Sequence, residues 1–415
     1  MKNLRTILLH AARLPVLAFA VACNNNTMPD NKSTDGAVPQ KGTYAYDRAF
    51  LQQHSTGVLE LYNEDSSAKV LLSAAWQGRV MTSTATGDSG TSFGWLNYDL
   101  LSAKEKRKQF NPVGGEERFW LGPEGGQYAF YFKKGDSFNI AHWQVPAIID
   151  TLGYNVVKAD RSSVTFATKA TLTNYSGTVF DIDIKREINL LTNDQLTKLL
   201  GIHIGNNIHS VAYATINTIG NTGVADWTKE TGLPSIWLLG MFTPTPQTVV
   251  IIPFKPLPNA RSLITDSYFG TIPPERLQVK DSVLYFTCDG KYRSKIGLSP
   301  LIAKPMAASY DFANNVLTMV VPDVYSNREY VNSKWEQQKE PYKGDVINSY
   351  NDGPLSDGTQ MGPFYEIESS SPALALKKGE TGMHRQITCH LQGDFAVLKD
   401  IAKQLLGVDL ETVRK

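Results

Sequence analysis

Hydrophobic and polar residues alternate with a period of two along most of the chain. In residues 163–172, Val164, Phe166, Ala170 and Leu172 alternate with Ser, Thr and Lys. In residues 180–190, Phe180, Ile182 and Ile184 stand against Asp181, Asp183 and Lys185, and residues 211–219 and 316–321 repeat the pattern. Successive side chains of a strand point to opposite faces, so alternation built from Val, Ile, Thr, Tyr and Phe predicts half-buried β-strands. Residues 283–288, the pair Asp289-Gly290 and residues 291–298 read as a hairpin with a type I′ turn. The proline-rich stretch 244–258 reads as a long excursion between strands. One stretch changes period near the end. Leu398, Ile401, Ala402, Leu405 and Leu406 share one helical face, Asp394 is placed to cap it and Gly407 to end it. Many strands separated by Gly, Pro and Asn turns, closed by one short helix, predict a mainly β fold, a large antiparallel sandwich.

The N-terminus lies outside this pattern. Lys2, Arg5 and Arg13 precede the apolar run 14–22, too short for a span of roughly 20 residues, and residues 1–22 read as a secretory signal. Ala20-Val21-Ala22 leads into Cys23 and resembles a bacterial lipobox, although Ala20 and Arg13 depart from that pattern. The resemblance implies lipidation of Cys23 and a lipid-anchored protein of the bacterial cell envelope, in the periplasm or at the cell surface. Residues 23–42 are rich in Asn, Asp, Ser, Thr, Gly and Pro and are expected to form a flexible tether. Residues 43–415 are expected to form a single domain.

Composition removes some function classes. With 41 Lys and Arg against 40 Asp and Glu, the net charge of +1 gives no electrostatic footprint for nucleic acid. Beyond Cys23 only Cys288 and Cys389 remain, without C-x-x-C or zinc-type spacing, and the sequence leaves open whether they pair. No cofactor or metal motif is present; the turn formers of 348–353 leave Ca²⁺ open as a ligand, because its ligands are oxygens.

Two stretches carry candidate chemistry. Residues 114–126 set Glu116, Glu117, Arg118, Trp120 and Glu124 between glycines. Glycine serves where the backbone takes φ > 0 or approaches another group closely. The segment reads either as a firmly held presentation of acid, cation and aromatic face to one cavity, or as glycine turns around one core strand with solvated charges. The first arrangement suits a polyhydroxylated ring. In residues 362–380, a strand over 364–370 puts Glu366 and Glu368 on one face with Phe364 and Ser370. Two carboxyls sharing a cavity repel, which raises one pKa toward the range useful for proton transfer.

Further candidates are His142-Trp143, as donor and stacking face, and Asn351-Asp352, on sugar hydroxyls. Lys291, Arg293 and Lys295 alternate along one arm; turned to the cavity, they favour a uronate or other acidic sugar. His203 and His209 lie beside a strand and read as structural.

Glu368-Ser-Ser-Ser-Pro-Ala followed by Leu376-Lys-Lys-Gly-Glu380 resembles the C-terminal signature of galactose mutarotase-like (aldose 1-epimerase-like) proteins, whose motif Glu is the catalytic base; Glu368 occupies its place. Gln77-Gly78-Arg79-Val80 resembles the family's early Gly-Gly-Arg strand, whose Arg contacts the sugar, and Thr215-Ile-Asn-Thr218 the strand before its central loop. The mature chain as a whole resembles an uncharacterised family of bacterial lipoproteins assigned to this fold, through residues 114–126, 348–353 and 362–372. The resemblance implies a galactose mutarotase-like β-supersandwich that binds a mono- or oligosaccharide. The departures are specific. Residues 221–230 lack the family's His pair, one of which is the general acid, and the earlier His-Gly-Gly is missing. Lys229, Glu230 or His142 are the candidate substitutes. Two readings follow: a sugar-binding lipoprotein, or a carbohydrate-active enzyme using Glu368 as base with Glu366 or another non-His acid.

Overall fold

The described strands pair antiparallel in three sheets. The computed structural model describes residues 38–205 and 207–414, so the signal 1–22, Cys23 and most of the tether lie outside the described residues. Pro39–Lys415 makes one compact unit. Thr43, where the domain was expected to begin, caps the helix Tyr44–His54.

The largest sheet has ten strands in the order Leu277–Lys280, Val283–Thr287, Thr248–Pro253, Ala307–Asp311, Val316–Pro322, Thr381–Gly393, Ile208–Asn221, Val179–Leu190, Ser163–Thr173, Asn155–Ala159. A second sheet has six: Ile264–Thr265, Ser294–Leu298, Ile347–Asn351, Tyr365–Ser370, Ser235–Phe242, Arg118–Gly122. Val58–Tyr62, Lys69–Ser73 and Arg79–Thr84 form the third. The alternating stretches of the sequence are strands at nearly the expected bounds, and in Val179–Leu190 every second residue is buried.

The two larger sheets meet face to face. Tyr365 and Ile367 of the smaller one pack in one apolar cluster with Val250, Ile252, Leu284 and Phe286 of the larger. Because the strand alternates, Glu366, Glu368 and Ser370 point away from that cluster. This parity puts the candidate chemistry on the outer face of the six-stranded sheet. The C-terminal helix Phe395–Leu406 has Asp394 accepting from the Ala396 and Val397 amides and ends at Gly407 with φ 74°. Its buried residues Leu398, Ile401, Ala402 and Leu406 pack on Ile251, Leu317 and Met319 of the large sheet.

Three expectations are corrected. Val283–Thr287 and Ser294–Leu298 belong to different sheets and form no hairpin. The side chain of Asn351 accepts from the Gly290 amide at 2.8 Å and donates to the Tyr292 carbonyl at 2.9 Å, tying this crossover to the second sheet. The type I′ turn lies at Asp281 (φ 50°) and Ser282 (φ 62°), joining Leu277–Lys280 to Val283–Thr287. The excursion 244–258 contains the strand Thr248–Pro253, buried throughout and paired on both sides. A strand covered on both faces reads as a continuous apolar run, so alternation does not reveal it. Residues 114–126 contain the edge strand Arg118–Gly122, also wholly buried. Gly114 and Gly115 lie before it, where a Cβ on Gly114 would stand 2.0 Å from the Trp95 carbonyl oxygen, Gly122 ends it, and Gly125 and Gly126 follow. Cys288 and Cys389 are free thiols buried in different apolar clusters.

Candidate functional site

Strand register assembles the site. Across the outer face of the six-stranded sheet, Lys295 pairs with Tyr350 and Tyr350 with Glu366. In the next row Asn348, Glu368, Leu239 and Arg118 are successive partners, and beyond it Trp237 pairs with Ser370 and with Trp120. Residues from five strands, distant in sequence, thus share one patch. Trp120 meets Trp237 edge-on at 5.5 Å, and Phe110 meets both Trp120 and Trp143 edge-on at 5.4 Å. Trp335 stacks on Trp143 at 5.8 Å and closes the aromatic wall.

Within this wall lie two cations and two carboxyls. Arg118 Nη2 donates to Glu366 Oε1, both side chains buried, with its guanidinium 4.8 Å from the Trp120 ring centre. Glu368 is fully buried, and its Oε2 accepts from Lys295 Nζ and from Trp237 Nε1, each at 2.9 Å. Glu368 Oε1 has no partner; neither do Arg118 Nε and Nη1 or Trp120 Nε1, whereas the Trp143 and Trp335 indoles hydrogen-bond to the Glu124 carboxyl. The Lys295 side chain reaches the surface with 13% of its area exposed, and Glu124 and Trp335 are also partly exposed. These residues mark where the buried patch comes nearest to solvent.

Burial pushes the Glu366 carboxyl up to about 8, opposed by Arg118 and reinforced by neighbouring Glu368. Burial also raises Glu124, against the pull of Lys295. Lys295 is lowered by burial but raised more by Glu368, Glu124 and Glu366, so its ammonium is held. Burial thus sets a carboxyl raised toward neutral pH beside a second carboxyl, Glu368. The linkage sign follows. A carboxyl raised from 4.5 to about 8 binds more protons folded than unfolded, so its contribution to stability falls as pH rises between those values and levels off above them. Any reaction needing the Glu366 proton should decline as pH passes about 8. A pH–rate profile should show that limb in the native protein and not in Glu366→Gln; the same limb in both would reject Glu366 as its source.

The other candidates are placed as follows. Glu116 turns away from the pair: Ser83 donates to it through its amide and hydroxyl, Tyr213 through its hydroxyl at 3.2 Å, and His390 Nε2 lies 3.2 Å away. Glu117 binds Arg186 at 2.7 Å. Arg79 donates to the Gly114 carbonyl and to Gln77, bracing the loop before Arg118. Both carboxyls of the Glu-Glu pair are therefore spent inside the protein, neither solvated nor facing Glu368. His142 is exposed on Ser137, whereas Trp143 joins the wall. Lys229 pairs with Glu329 at the surface, and Glu230 is exposed. His203 and His209 are exposed. Asn351 is spent on Gly290 and Tyr292, and Asp352 accepts from Tyr350 and the Gly362 amide, so the oxygens offered to Ca²⁺ already have partners. Among the described residues no three His, Cys, Asp or Glu cluster as metal ligands. Of the alternating cations, Lys295 reaches Glu368, Arg293 lies over Phe269, and Lys291 is exposed.

Trp237 and Trp335 escaped the sequence reading. Trp237 does sit in an alternating row with Leu239 and Met241, but its partner Glu368 is set by register alone. A hollow of about 640 Å³ lies elsewhere, bordered by Asp47, Ser92, Trp95, Tyr98, Asp311 and His390, and it touches neither Glu366 nor Glu368.

The family described as "Family of unknown function (DUF6786)" matches residues 42–415. No curated protein matches the sequence. Among solved structures, a galactose mutarotase-like protein from Lactobacillus casei is similar at 11% identity, covering 81% of this chain and 100% of that one with a TM-score of 0.46. The Slr1438 protein from Synechocystis is 12% identical over 81% of this chain and 96% of its own, with a TM-score of 0.45. A galactose mutarotase related enzyme from Lactobacillus acidophilus is 11% identical over 81% and 97%, with a TM-score of 0.41.

Proposed function

This chain belongs to the DUF6786 family of unknown function, and we propose that it binds a sugar over the outer face of its six-stranded sheet and acts on it through Glu366 and Glu368. The observation that carries the reading is the pair itself: one carboxyl held protonated, one with a free acceptor oxygen, inside a wall of four Trp rings. Flat aromatic faces and convergent polar groups are what a pyranose ring needs. At an anomeric centre, Glu368 Oε1 takes the O1 proton while Glu366 gives its proton to the ring oxygen. The C1–O5 bond breaks, the O1–H pair becomes the carbonyl bond, and reclosure on either face returns both protons. This assignment also answers the missing His, because Glu366 supplies the acid.

A second reading, binding without turnover, is favoured by the lack of any His in residues 221–230. Calorimetry against a panel of mono- and oligosaccharides, with anomer exchange followed by NMR, separates the two. Binding with accelerated exchange supports the enzyme, and binding alone supports the second reading. If no sugar binds, the site has been misread.

We also propose that Cys23 carries a lipid and holds the domain to a membrane of the cell envelope. Thr43 already caps the first helix, so the anchor is separated from the folded unit by the tether. Cys23→Ser should move the protein to the soluble fraction with an unchanged thermal midpoint. A variant that stays with the membrane would contradict the anchor.

A further inference from the structure

The Glu366–Glu368 face is short of acceptors. Three buried donor atoms there have no partner, namely Arg118 Nε and Nη1 and Trp120 Nε1, while the Trp143 and Trp335 indoles are already taken up by the Glu124 carboxyl. They belong to one cluster: the Arg118 guanidinium lies 4.8 Å from the Trp120 ring centre and 5.9 Å from that of Phe110, and Phe110 touches Trp143. Buried donors without acceptors are costly and rare in native proteins. Three around one carboxyl pair mark a place made ready for something rich in acceptors.

We propose that the ligand of this site is a sugar bearing a carboxylate, a uronic acid residue, whose carboxylate oxygens accept from Arg118 and the Trp120 indole while a hydroxyl meets Glu368 Oε1. The inference rests on the sugar-binding reading above. A hydroxyl brings a donor with every acceptor, so a neutral pyranose would bring further donors to a face whose unpartnered buried atoms are mostly donors. A carboxylate brings acceptors only. Charge points the same way. Arg118 and Lys295 are both within the patch, and burial keeps Glu366 and Glu124 toward their neutral forms. Arginine is the side chain best suited to such a carboxylate.

The test is calorimetry on the whole chain with methyl glucuronide and methyl galacturonide, their neutral methyl glycosides, and the neutral sugars carrying a 6-sulfate. The uronides should bind at least about tenfold more tightly than the neutral sugars, the ratio expected of a charged hydrogen bond made on binding. Trp120→Phe keeps an aromatic ring and deletes one donor; it should weaken the uronide by roughly three- to tenfold and the neutral sugar less, whereas Trp143→Phe, whose indole is held by Glu124, should leave the uronide preference in place. Arg118→Lys, which keeps the charge, covers the case in which removing Arg118 prevents folding, and it should lose most of the uronide preference. Neutral sugars binding as well as uronides would overturn this inference while leaving the sugar site standing. A preference for the 6-sulfate, or a Trp120→Phe variant that gains thermal stability with unchanged uronide affinity, would also overturn it. No binding by any of the three classes would sink both readings.

Discussion

Glu368→Gln should lower anomer exchange by roughly 10²–10⁴-fold, the share of a rate attributed to a positioned general base. The amide has the same shape, and its oxygen can still accept from Lys295 and Trp237 where Oε2 now does. Its nitrogen then occupies the position of the free Oε1 and cannot take a proton. Ground-state binding should fall by no more than about 1–3 kcal/mol, the cost of one disturbed charged hydrogen bond. Stability should fall as well, because Lys295 loses its counter-charge. That loss should stay below the roughly 3–5 kcal/mol of a fully enclosed broken pair, since Lys295 still reaches solvent. NMR exchange rates at saturating sugar, with calorimetry on the same protein, separate these effects. Undiminished turnover would remove Glu368 from the mechanism. In a protein that only binds, affinity alone would move.

The largest stability effect is expected at Arg186, in the strand Val179–Leu190. Arg186 and Glu117 are both fully buried and 2.7 Å apart. Arg186 also donates to Asn217 and to the Gln77 carbonyl, while Thr215 and Gln386 donate to Glu117. Arg186→Met leaves Glu117 without its cation and should cost about 3–5 kcal/mol, measured by urea unfolding. Burial already pushes Glu117 up against Arg186, so the variant's carboxyl should take up a proton, and the deficit should widen as pH rises. Arg186→Met with Glu117→Gln removes both charges and should recover most of the loss. A single variant as stable as the native chain would show that the pair holds nothing. The effect should reach the site, because Glu117 adjoins Arg118 and this buried pair ties the start of the Arg118 strand to the large sheet.

What the sequence showed and what it hid divide along a physical line. Alternation exposed strands with one buried face, such as Val179–Leu190, and cap chemistry exposed the helix from Asp394 to Gly407. It failed for Thr248–Pro253, buried on both faces. The I′ turn was misplaced because Asp289-Gly290 has the better local chemistry, yet Asn351, far away in sequence, decides where that segment goes. The same holds at the site. The shared face of Glu366 and Glu368 follows from parity along one strand. Their partners Arg118, Lys295 and Trp237 come from three other strands, and no local pattern states that register. Glu116 and Glu117 looked available for a ligand because sequence does not reveal burial beside Ser83, Tyr213 and Arg186.

The strand Thr381–Gly393 sits in the middle of the ten-stranded sheet, between Val316–Pro322 and Ile208–Asn221. It is also the last strand made. Until it leaves the ribosome, both of its neighbours present open edges and the two halves of the sheet have nothing between them. Pairings this distant in sequence form slowly, and incomplete sheets of this kind are prone to associate. The large sheet therefore closes only after this strand has been made. Until then the chain stays open to threading through a narrow channel, and it stands in most need of a chaperone in the same interval.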